Sequence, residues 1–388
     1  MNIVHVVAYP EYVDGFGYQE NILPVMHKKL GNDVSLITST EVNRMGIKKT
    51  FEVSDYYSKE GIHIYRLANG FKIKKFRNKF PKLKGLYNLL EELKPNFIFI
   101  HSACNPTVID IIKYKKRHRD VQIVADSHTD YINSAKSFIS LNIQHKILKK
   151  HYIKKVEPFV NMFYGTLPLR CEFLEKVYKL PKTKIDFLPM GFDDSNIDYS
   201  KKSFYRDEVR TQFNIDDKDF VVCFGGKIER RKNVIELIKA IKELPTNVKL
   251  LIFGTPAEDV KEEFEKEIIS ERIVYVGWVK SDEVYKYFFA SDIAVFPGTH
   301  SVLWEQAISC GLPCIFKKWE GITHVDLGGN CILLDDVSKD ILKNNILNLY
   351  EDTDLKNRMA SIAINEGRKN FSYLEIAKKS LGDLYVND

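Results

Sequence analysis

Short apolar runs alternate with amphipathic windows along most of this chain. Runs rich in β-branched and aromatic residues, each followed by a window with helical spacing, predict parallel strands joined by crossover helices. In the first half the predicted strands are NIVHVVA, DVSLIT, IHIYRL, FIFIHS, QIVADS and VNMFYGT. In the second half they are FVVCFGG, VKLLIFG, IVYVGWV, DIAVFPG and PCIFKK. The pattern therefore predicts an α/β protein.

The amphipathic windows and one polar stretch predict how the chain is divided. Predicted helices are YQENILPVMHKKLG, PTVIDIIKYKKRH, NVIELIKAIKEL, DEVYKYFFAS and SVLWEQAISCG, the first ending at a Gly31 cap. The polar residues 189–203 separate two alternating blocks, which predicts domains at 1–196 and 197–371. A closing helix at about 372–388 is expected to pack back on the first domain. Doubly wound sheets bind ligands beyond the carboxyl ends of their strands, so the cleft between the domains is the expected site.

Composition excludes several classes of protein. A chain of 388 residues with 44% hydrophobic residues has enough apolar mass for two cores and is not disordered. No apolar run approaches the roughly 18 residues that span a bilayer, and the N-terminus resembles a strand more than a signal peptide. A cytoplasmic location is therefore expected. The six cysteines have no metal-binding spacing and are expected to be reduced thiols.

The chain has a net charge of +6, and many of its basic residues are concentrated in two segments. Residues 69–85 contain no acid and seven basic residues: Lys72, Lys74, Lys75, Arg77, Lys79, Lys82 and Lys84. Residues 145–155 add five lysines, Lys146, Lys149, Lys150, Lys154 and Lys155, between apolar side chains. Such segments are either a solvated basic face or a surface for an anionic membrane or a polyanionic acceptor. No recognition motif for nucleic acid accompanies them, so nucleic acid is not an expected partner.

The stretch CFGGKIERRKN has the residue types of a diphosphate site. A predicted strand ends at Gly225 and Gly226, and a predicted helix begins near Asn233. Between them lie four cations, Lys227, Arg230, Arg231 and Lys232. Glycine lets the backbone approach a ligand, and a helix N-terminus favours an anion. The spacing matches neither a Walker loop nor a dinucleotide fingerprint.

Two further strand ends in the first half carry polar residues. Gly15 and Gly17 form the turn between the first strand and its helix, which is either an ordinary turn or part of a ligand site. Asp126, His128 and Asp130 follow a later strand, where His128 is placed for hydrogen bonding or proton transfer. His101 ends the preceding predicted strand, so these two histidine-bearing edges are expected to adjoin.

Taken together, these motifs resemble those of the family 4 retaining glycosyltransferases, over almost the full length of the chain. The matching positions are Gly226, Lys227, Lys232 and Asn233; Pro189 to Asp193; Tyr275 to Val279; Ser291 to Pro297; and Gly15, Gly17 and His128. The resemblance implies a GT-B fold, in which two doubly wound Rossmann-like domains face each other across a cleft. It implies that Lys227 and Lys232 hold the diphosphate of a nucleotide sugar, with no metal or other cofactor.

The segment PGTHSVLWEQAISCG departs from the family pattern, which has two glutamates eight positions apart. The alignment places the first acid on Gly298 and the second on Gln306. Gln306 can hydrogen-bond ribose hydroxyls, and Glu305 replaces it only if the helix rotates by about 100° or the turn absorbs an extra residue. The remaining expected donor contacts are Arg231, Trp278, Thr299, His300, Ser301 and Val302, with Glu320, Thr323 and His324 as further candidates.

The family resemblance implies an enzyme that moves a sugar, with retention, from a nucleotide-diphosphate donor such as a UDP-sugar. The expected acceptor is a cell-surface polysaccharide, a lipid-linked oligosaccharide or a teichoic-acid-like polymer. The basic segments favour a peripheral position on the inner face of the cell membrane. Two alternatives remain open: a nucleotide-sugar epimerase of the same fold, and a catalytically silent module that binds a sugar nucleotide or a partner.

Overall fold

The computed structural model describes residues 1–9, 11–44, 47–71, 80–193 and 197–382. The chain divides into two compact units, the first formed by Met1–Pro189 with Ile376–Asp388 and the second by Met190–Glu375. The sequence prediction had placed the corresponding boundaries after residues 196 and 371. Each unit contains its own parallel sheet with crossover helices, so the predicted α/β class with two Rossmann-like domains is confirmed.

The first unit is built on an eight-stranded sheet. Its strands are β1 (Asn2–Val7), β2 (Asp33–Ser39), β5 (Ser54–Tyr57), β6 (His63–Leu67), β7 (Phe97–His101), β8 (Gln122–Ser127), β9 (Met162–Gly165) and β10 (Ile185–Phe187). They lie in the order β10-β9-β8-β7-β1-β2-β6-β5, and only β5 is antiparallel to its neighbour. The strands β3 (Glu41–Arg44) and β4 (Ile47–Thr50) pair separately as a hairpin. All six strands predicted for this half are present.

Helices cover this sheet. They are α1 (Gln19–Lys29), α2 (Leu86–Leu93), α3 (Val108–Arg117), a π-helical segment (Ser140–Lys149) that continues as α4 (Lys150–Val156), and α5 (Pro168–Lys176). The apolar periodicity predicts two of them, α1 and α3. After α1, Gly31 has φ +81° and its N–H donates to the carbonyl of Lys28 at 2.9 Å. The predicted glycine cap is therefore confirmed, because this left-handed conformation suits glycine.

The second unit has a six-stranded parallel sheet. Its strands are β11 (Phe220–Gly225), β12 (Val248–Phe253), β13 (Ile273–Gly277), β14 (Ile293–Phe296), β15 (Cys314–Lys317) and β16 (Cys331–Leu334). The order β13-β12-β11-β14-β15-β16 reverses its direction of winding between β11 and β14. Open parallel sheets bind ligands at the carboxyl ends of the strands that flank such a reversal. The loops after β11 and β14 therefore flank the expected ligand site of this sheet.

The helices of the second unit follow its strands. They are α6 (Lys202–Gln212), α7 (Val234–Lys242), α8 (Lys261–Glu267), α9 (Val284–Phe289), α10 (Leu303–Ser309), α11 (Lys339–Glu351) and α12 (Thr353–Phe371). The next helix, α13 (Tyr373–Leu381), belongs to the first unit from Ile376 onward. All six residues of β11 are buried, which agrees with the continuous apolar run of a strand covered on both faces.

Three expectations from composition can be compared with the structure. All six cysteines are free thiols, as expected. Within the described ranges, none of the helices combines the length and apolar character needed to cross a membrane. The first basic segment falls largely on residues 72–79, which lie outside the described residues.

Candidate functional site

The loop after β11 gathers cations around one carboxylate. Gly226, with φ +107°, leads from the strand into this loop. Glu229 forms ion pairs with Lys227 at 2.8 Å and with Arg231 at 2.5 Å, and both cationic side chains are more than half exposed. Burial raises the pKa of Glu229, but the two cations outweigh that effect and lower it overall. The loop therefore presents two cations that an anionic ligand could share with Glu229.

Lys232 lies deeper than these two cations. Its Nζ donates to the main-chain carbonyl of Thr299 and, at 3.4 Å, to that of His300. Burial, with a smaller contribution from the charge of Arg231, lowers the pKa of Lys232 to about 8, although Glu229 opposes the change. Lys232 thus joins the loop after β11 to the turn after β14, with its charge at the point where the sheet reverses.

The turn after β14 packs directly on the backbone of the cationic loop. A Cβ atom on Gly298 would lie 2.4 Å from the carbonyl oxygen of Arg231 and 2.4 Å from the Cα of Lys232. The N–H of Thr299 also donates to the Arg231 carbonyl at 3.3 Å. The indole N–H of Trp319 donates to the Gly298 carbonyl at 3.0 Å. Only glycine fits at position 298, because both close atoms belong to main chain.

The two adjacent polar residues of α10 point in different directions. Glu305 is wholly buried, and its Oε1 lies 2.8 Å from Nε2 of His300 and 2.9 Å from Nε2 of His324. Gln306 is only partly buried. Glu305 and His300 were predicted to contact the donor. In the structure both side chains point into the protein, so neither faces a donor ligand. The geometry favours Gln306 over Glu305 as the residue that faces a ligand.

The other predicted donor contacts of the second unit are accessible. Trp278 is 72% exposed just after β13, so it is not a core tryptophan. Thr299, Ser301 and Val302 are partly buried, and Val302 is the cap residue that precedes α10. A ligand at the carboxyl edge of this sheet can therefore reach these four residues without rearrangement of the core.

In the first unit, the glycine turn is anchored by a buried arginine. Gly15 has φ +75°, and added atoms at its Cβ position would meet nothing within 4 Å. The preceding Asp14 accepts hydrogen bonds from Arg66 at 2.7 Å and from Tyr56 at 2.8 Å. Arg66 is fully buried, so this network fixes the start of the turn that carries Gly15 and Gly17.

His128 is held at the end of β8 by neighbouring polar groups. Its Nε2 lies 3.7 Å from Oδ2 of Asp126, and its Nδ1 lies 3.4 Å from the hydroxyl of Thr166. The same Asp126 oxygen is 2.8 Å from Nδ1 of His101, so the predicted adjacency of the two histidine-bearing edges is confirmed. Burial raises the pKa of Asp126, but both histidines oppose this and the pKa falls well below its usual range. Asp126 is therefore a carboxylate that orients both imidazoles.

The His101 ring continues into a chain of buried histidines that the sequence analysis missed. His5 lies 3.1 Å from His101 on one side and 2.9 Å from His27 on the other. Nε2 of His27 reaches the hydroxyl of Ser380 at 2.8 Å. Burial lowers the pKa of His27 to about 3, so it is neutral at physiological pH. Both histidines stand within apolar stretches, where the hydrophobic pattern contains no signal for a hydrogen-bonded chain.

The predicted site residues fall into two groups. Gly15, Gly17 and His128 belong to the first unit, and the second unit holds Gly226, Lys227, Arg231, Lys232, Trp278, Thr299, His300, Ser301, Val302, Glu305 and Gln306. Within the second unit, the loops after β11 and β14 come together through Lys232 and Gly298.

Comparison with known proteins finds a family model that is similar to part of the second unit. Residues 205–366 match the family model described as Glycosyl transferases group 1. A lipopolysaccharide 1,2-N-acetylglucosaminetransferase of Salmonella typhimurium is 23% identical over 266 residues, which cover 62% of this chain and 69% of that protein. A mannosylfructose-phosphate synthase of Agrobacterium fabrum is 21% identical over 65% of this chain and 58% of its own length.

Solved structures resemble the whole chain. The sucrose-phosphate synthase of Thermosynechococcus elongatus has a TM-score of 0.68 and 16% identity, over 99% of this chain and 98% of that one. HepE of Anabaena, in complex with UDP and glucose, has a TM-score of 0.66 and 15% identity over 99% of each chain. At these identities the likeness establishes the fold, which is GT-B.

Proposed function

We propose that this chain, a glycosyltransferase of the GT-B fold, moves a sugar from a nucleotide-diphosphate donor to an acceptor with retention of anomeric configuration. The observation that carries the proposal is the position of Lys232, partly buried where the loops after β11 and β14 meet at the reversal of strand order. A diphosphate placed there would lie at the carboxyl edge of a parallel sheet, as ligands of such sheets do.

In the proposed mechanism, Lys232 stabilises the negative charge that develops on the departing diphosphate. Lys227 and Arg231 exchange their partner Glu229 for the same phosphates. Fixed cations stabilise the negative charge of a transition state effectively when the site partly excludes water. These side chains supply positive charge without a metal ion at the diphosphate, which supports a metal-independent transfer. The leaving phosphate assists attack from the same face, so no protein nucleophile is required.

The remaining donor contacts are assigned by exposure. Gln306 both accepts and donates hydrogen bonds and is proposed to bind the ribose hydroxyls. Trp278, exposed after β13, is proposed to line the base site. His128 is proposed to contact the transferred sugar, with Asp126 holding its orientation. HepE, which shares the fold, was solved with UDP, and this supports a UDP-sugar as donor.

Donor turnover with a panel of nucleotide sugars tests the proposal. We expect nucleotide release that depends on a glycan or lipid-linked acceptor, and NMR of the product should give the same anomeric configuration as the donor. Gln306→Ala is expected to weaken UDP binding about fivefold in calorimetry, since one ribose hydrogen bond contributes about 1 kcal/mol. Gln306→Glu is the matched variant and should retain binding.

Other outcomes of the same panel identify the alternatives. Release without acceptor would favour the epimerase, and binding without any turnover would favour the silent module. An inverted product would contradict retention. Unchanged UDP binding in Gln306→Ala would remove α10 from the ribose site.

A lipid-linked acceptor at the inner face of the membrane is supported by an exposed amphipathic surface on the first unit. Along the π-helical segment, the side chains of Ile139, Ile143 and Ile147 are between 48% and 67% exposed, and Phe138 is 79% exposed. Lysines such as Lys146 and Lys150 alternate with them. Exposed apolar groups spaced four residues apart, with flanking lysines, suit the surface of an anionic bilayer.

Introducing negative charge on this surface is expected to weaken membrane association. The double variant Ile143→Glu with Ile147→Glu should reduce co-sedimentation with vesicles that contain phosphatidylglycerol, because it places two carboxylates on the apolar face. Ile269→Glu is the control, since Ile269 is 80% exposed in the second unit. Equal sedimentation of all three proteins would leave these residues as a solvated face.

A further inference from the structure

A buried cluster lies beneath the turn after β14. It consists of His300 on that turn, Glu305 in α10 and His324 in the loop after β15. Their side chains are 5%, 0% and 4% exposed. One nitrogen from each imidazole and one carboxylate oxygen lie within 4.8 Å of one another. Three separate chain segments thus converge on one buried point.

Hydrogen bonds between these residues satisfy only one of the two oxygens of the Glu305 carboxylate. Both histidines approach the same oxygen, Oε1 of Glu305, at 2.8 and 2.9 Å. The second oxygen, Oε2, is buried and has no hydrogen-bond partner among the described residues. A carboxylate oxygen that is buried without a hydrogen-bond partner is unfavourable, and a bound cation would remove that cost.

The ligand atoms have the composition of a transition-metal site. Two imidazole nitrogens and one glutamate oxygen are borderline ligands that suit Zn²⁺. Bonds of about 2.0–2.1 Å in a tetrahedral site place neighbouring ligand atoms ~3.3 Å apart. Each imidazole would therefore retreat from Oε1 by only about 0.5 Å. An imidazole nitrogen binds a metal through its lone pair, so the ring nitrogen that faces the ion must carry no proton in the metal-bound form.

We propose that His300, Glu305 and His324 form a binding site for a divalent transition-metal ion of the Zn²⁺ class. The ion joins the turn after β14, helix α10 and the loop after β15. Because the three side chains are at most 5% exposed, the ion lies below the donor surface and does not contact the diphosphate. Its role is to fix the turn whose carbonyls hold Lys232. This site is separate from the donor site proposed above.

Metal analysis of the full-length protein, with any polyhistidine tag removed, tests this site directly. We expect about one zinc ion per chain by mass spectrometry after incubation with Zn²⁺ and desalting. Co²⁺ in its place should give the visible absorption bands of a tetrahedral site. Chelation should lower the melting temperature by roughly 5 °C or more. Glu305→Gln and His324→Asn should lose the metal and the Co²⁺ bands, and chelator should no longer change their melting temperature.

The control is His118→Asn, which breaks a surface pair between His118 and Glu91 at 3.0 Å and should leave the metal content unchanged. Wild-type protein that binds no Zn²⁺ or Co²⁺ would overturn the proposal, even if the cluster variants fail to fold. Equal metal content in wild type and folded Glu305→Gln would overturn it as well. Donor binding is measured separately, so loss of the metal site and failure of the proposed transfer are distinguishable.

Discussion

Lys232→Ala is expected to lower the turnover of sugar transfer about 10²–10³-fold, the usual cost of removing one preorganised group that stabilises developing charge. The lysine is partly buried, and the carbonyls of Thr299 and His300 hold its Nζ in place, so its charge is preorganised. Steady-state kinetics with the preferred donor measure the effect. Lys239→Ala is the control, because Lys239 lies on the next helix and pairs with Glu236. Turnover within twofold of wild type would remove Lys232 from the diphosphate site.

The pKa of Lys232 adds a pH dependence to this prediction. The lysine binds a diphosphate in its protonated form, and its pKa in the free protein is about 8. Affinity for UDP should therefore be full well below pH 8 and fall as pH rises through that value. We expect a loss of about fourfold between pH 7 and pH 8.5 in calorimetry. Lys232→Gln should bind weakly with no such slope, which separates titration of the protein from titration of the nucleotide.

Gly298→Ala is expected to weaken donor binding and to destabilise the fold. The new methyl group would overlap the carbonyl of Arg231 and the Cα of Lys232, so the cationic loop must move. We expect UDP affinity to fall more than tenfold and the free energy of unfolding to fall by about 1–3 kcal/mol, the usual cost of an overpacked site. Calorimetry and urea unfolding measure the two quantities. Gly70→Ala is the matched control, because its Cβ would meet its nearest neighbour at 3.4 Å.

The same contact explains why the first acid of the family pattern is missing here. Gly298→Glu places the acid at the aligned position but adds the same steric overlap, so it should bind UDP more weakly than wild type. A gain in activity from Gly298→Glu would contradict this account and show that the turn adapts easily.

The hydrophobic pattern was sufficient to predict 11 of the 14 strands that build the two sheets. β1, β7 and β11 are almost entirely buried, and their apolar runs are long enough to predict from sequence alone. It gave no indication of β4 and β5, most of whose residues are exposed. A strand without a buried face has no apolar alternation, so its pairing is decided by tertiary structure.

The sequence predicted those parts of the candidate site that directly follow buried strands. The cations after β11 and the residues at the end of β8 follow from their positions after apolar strands. Local spacing could not decide between Glu305 and Gln306, because adjacent helical residues differ by about 100° in direction. The decision depends on His324, which is distant in sequence and meets Glu305 only in the folded unit.

The return of residues 376–382 to the first unit has a consequence for synthesis of the protein. Ile376, Ala377 and Leu381 are buried, and Ser380 is the hydroxyl partner of His27. These residues leave the ribosome only after the whole second unit has been translated, a delay of roughly 10–40 s at usual rates. During that interval the first unit has an unfinished core, with His27 lacking its hydroxyl partner. The second unit can complete its core first, and a nascent first unit depends on the last turns of helix for its final stability.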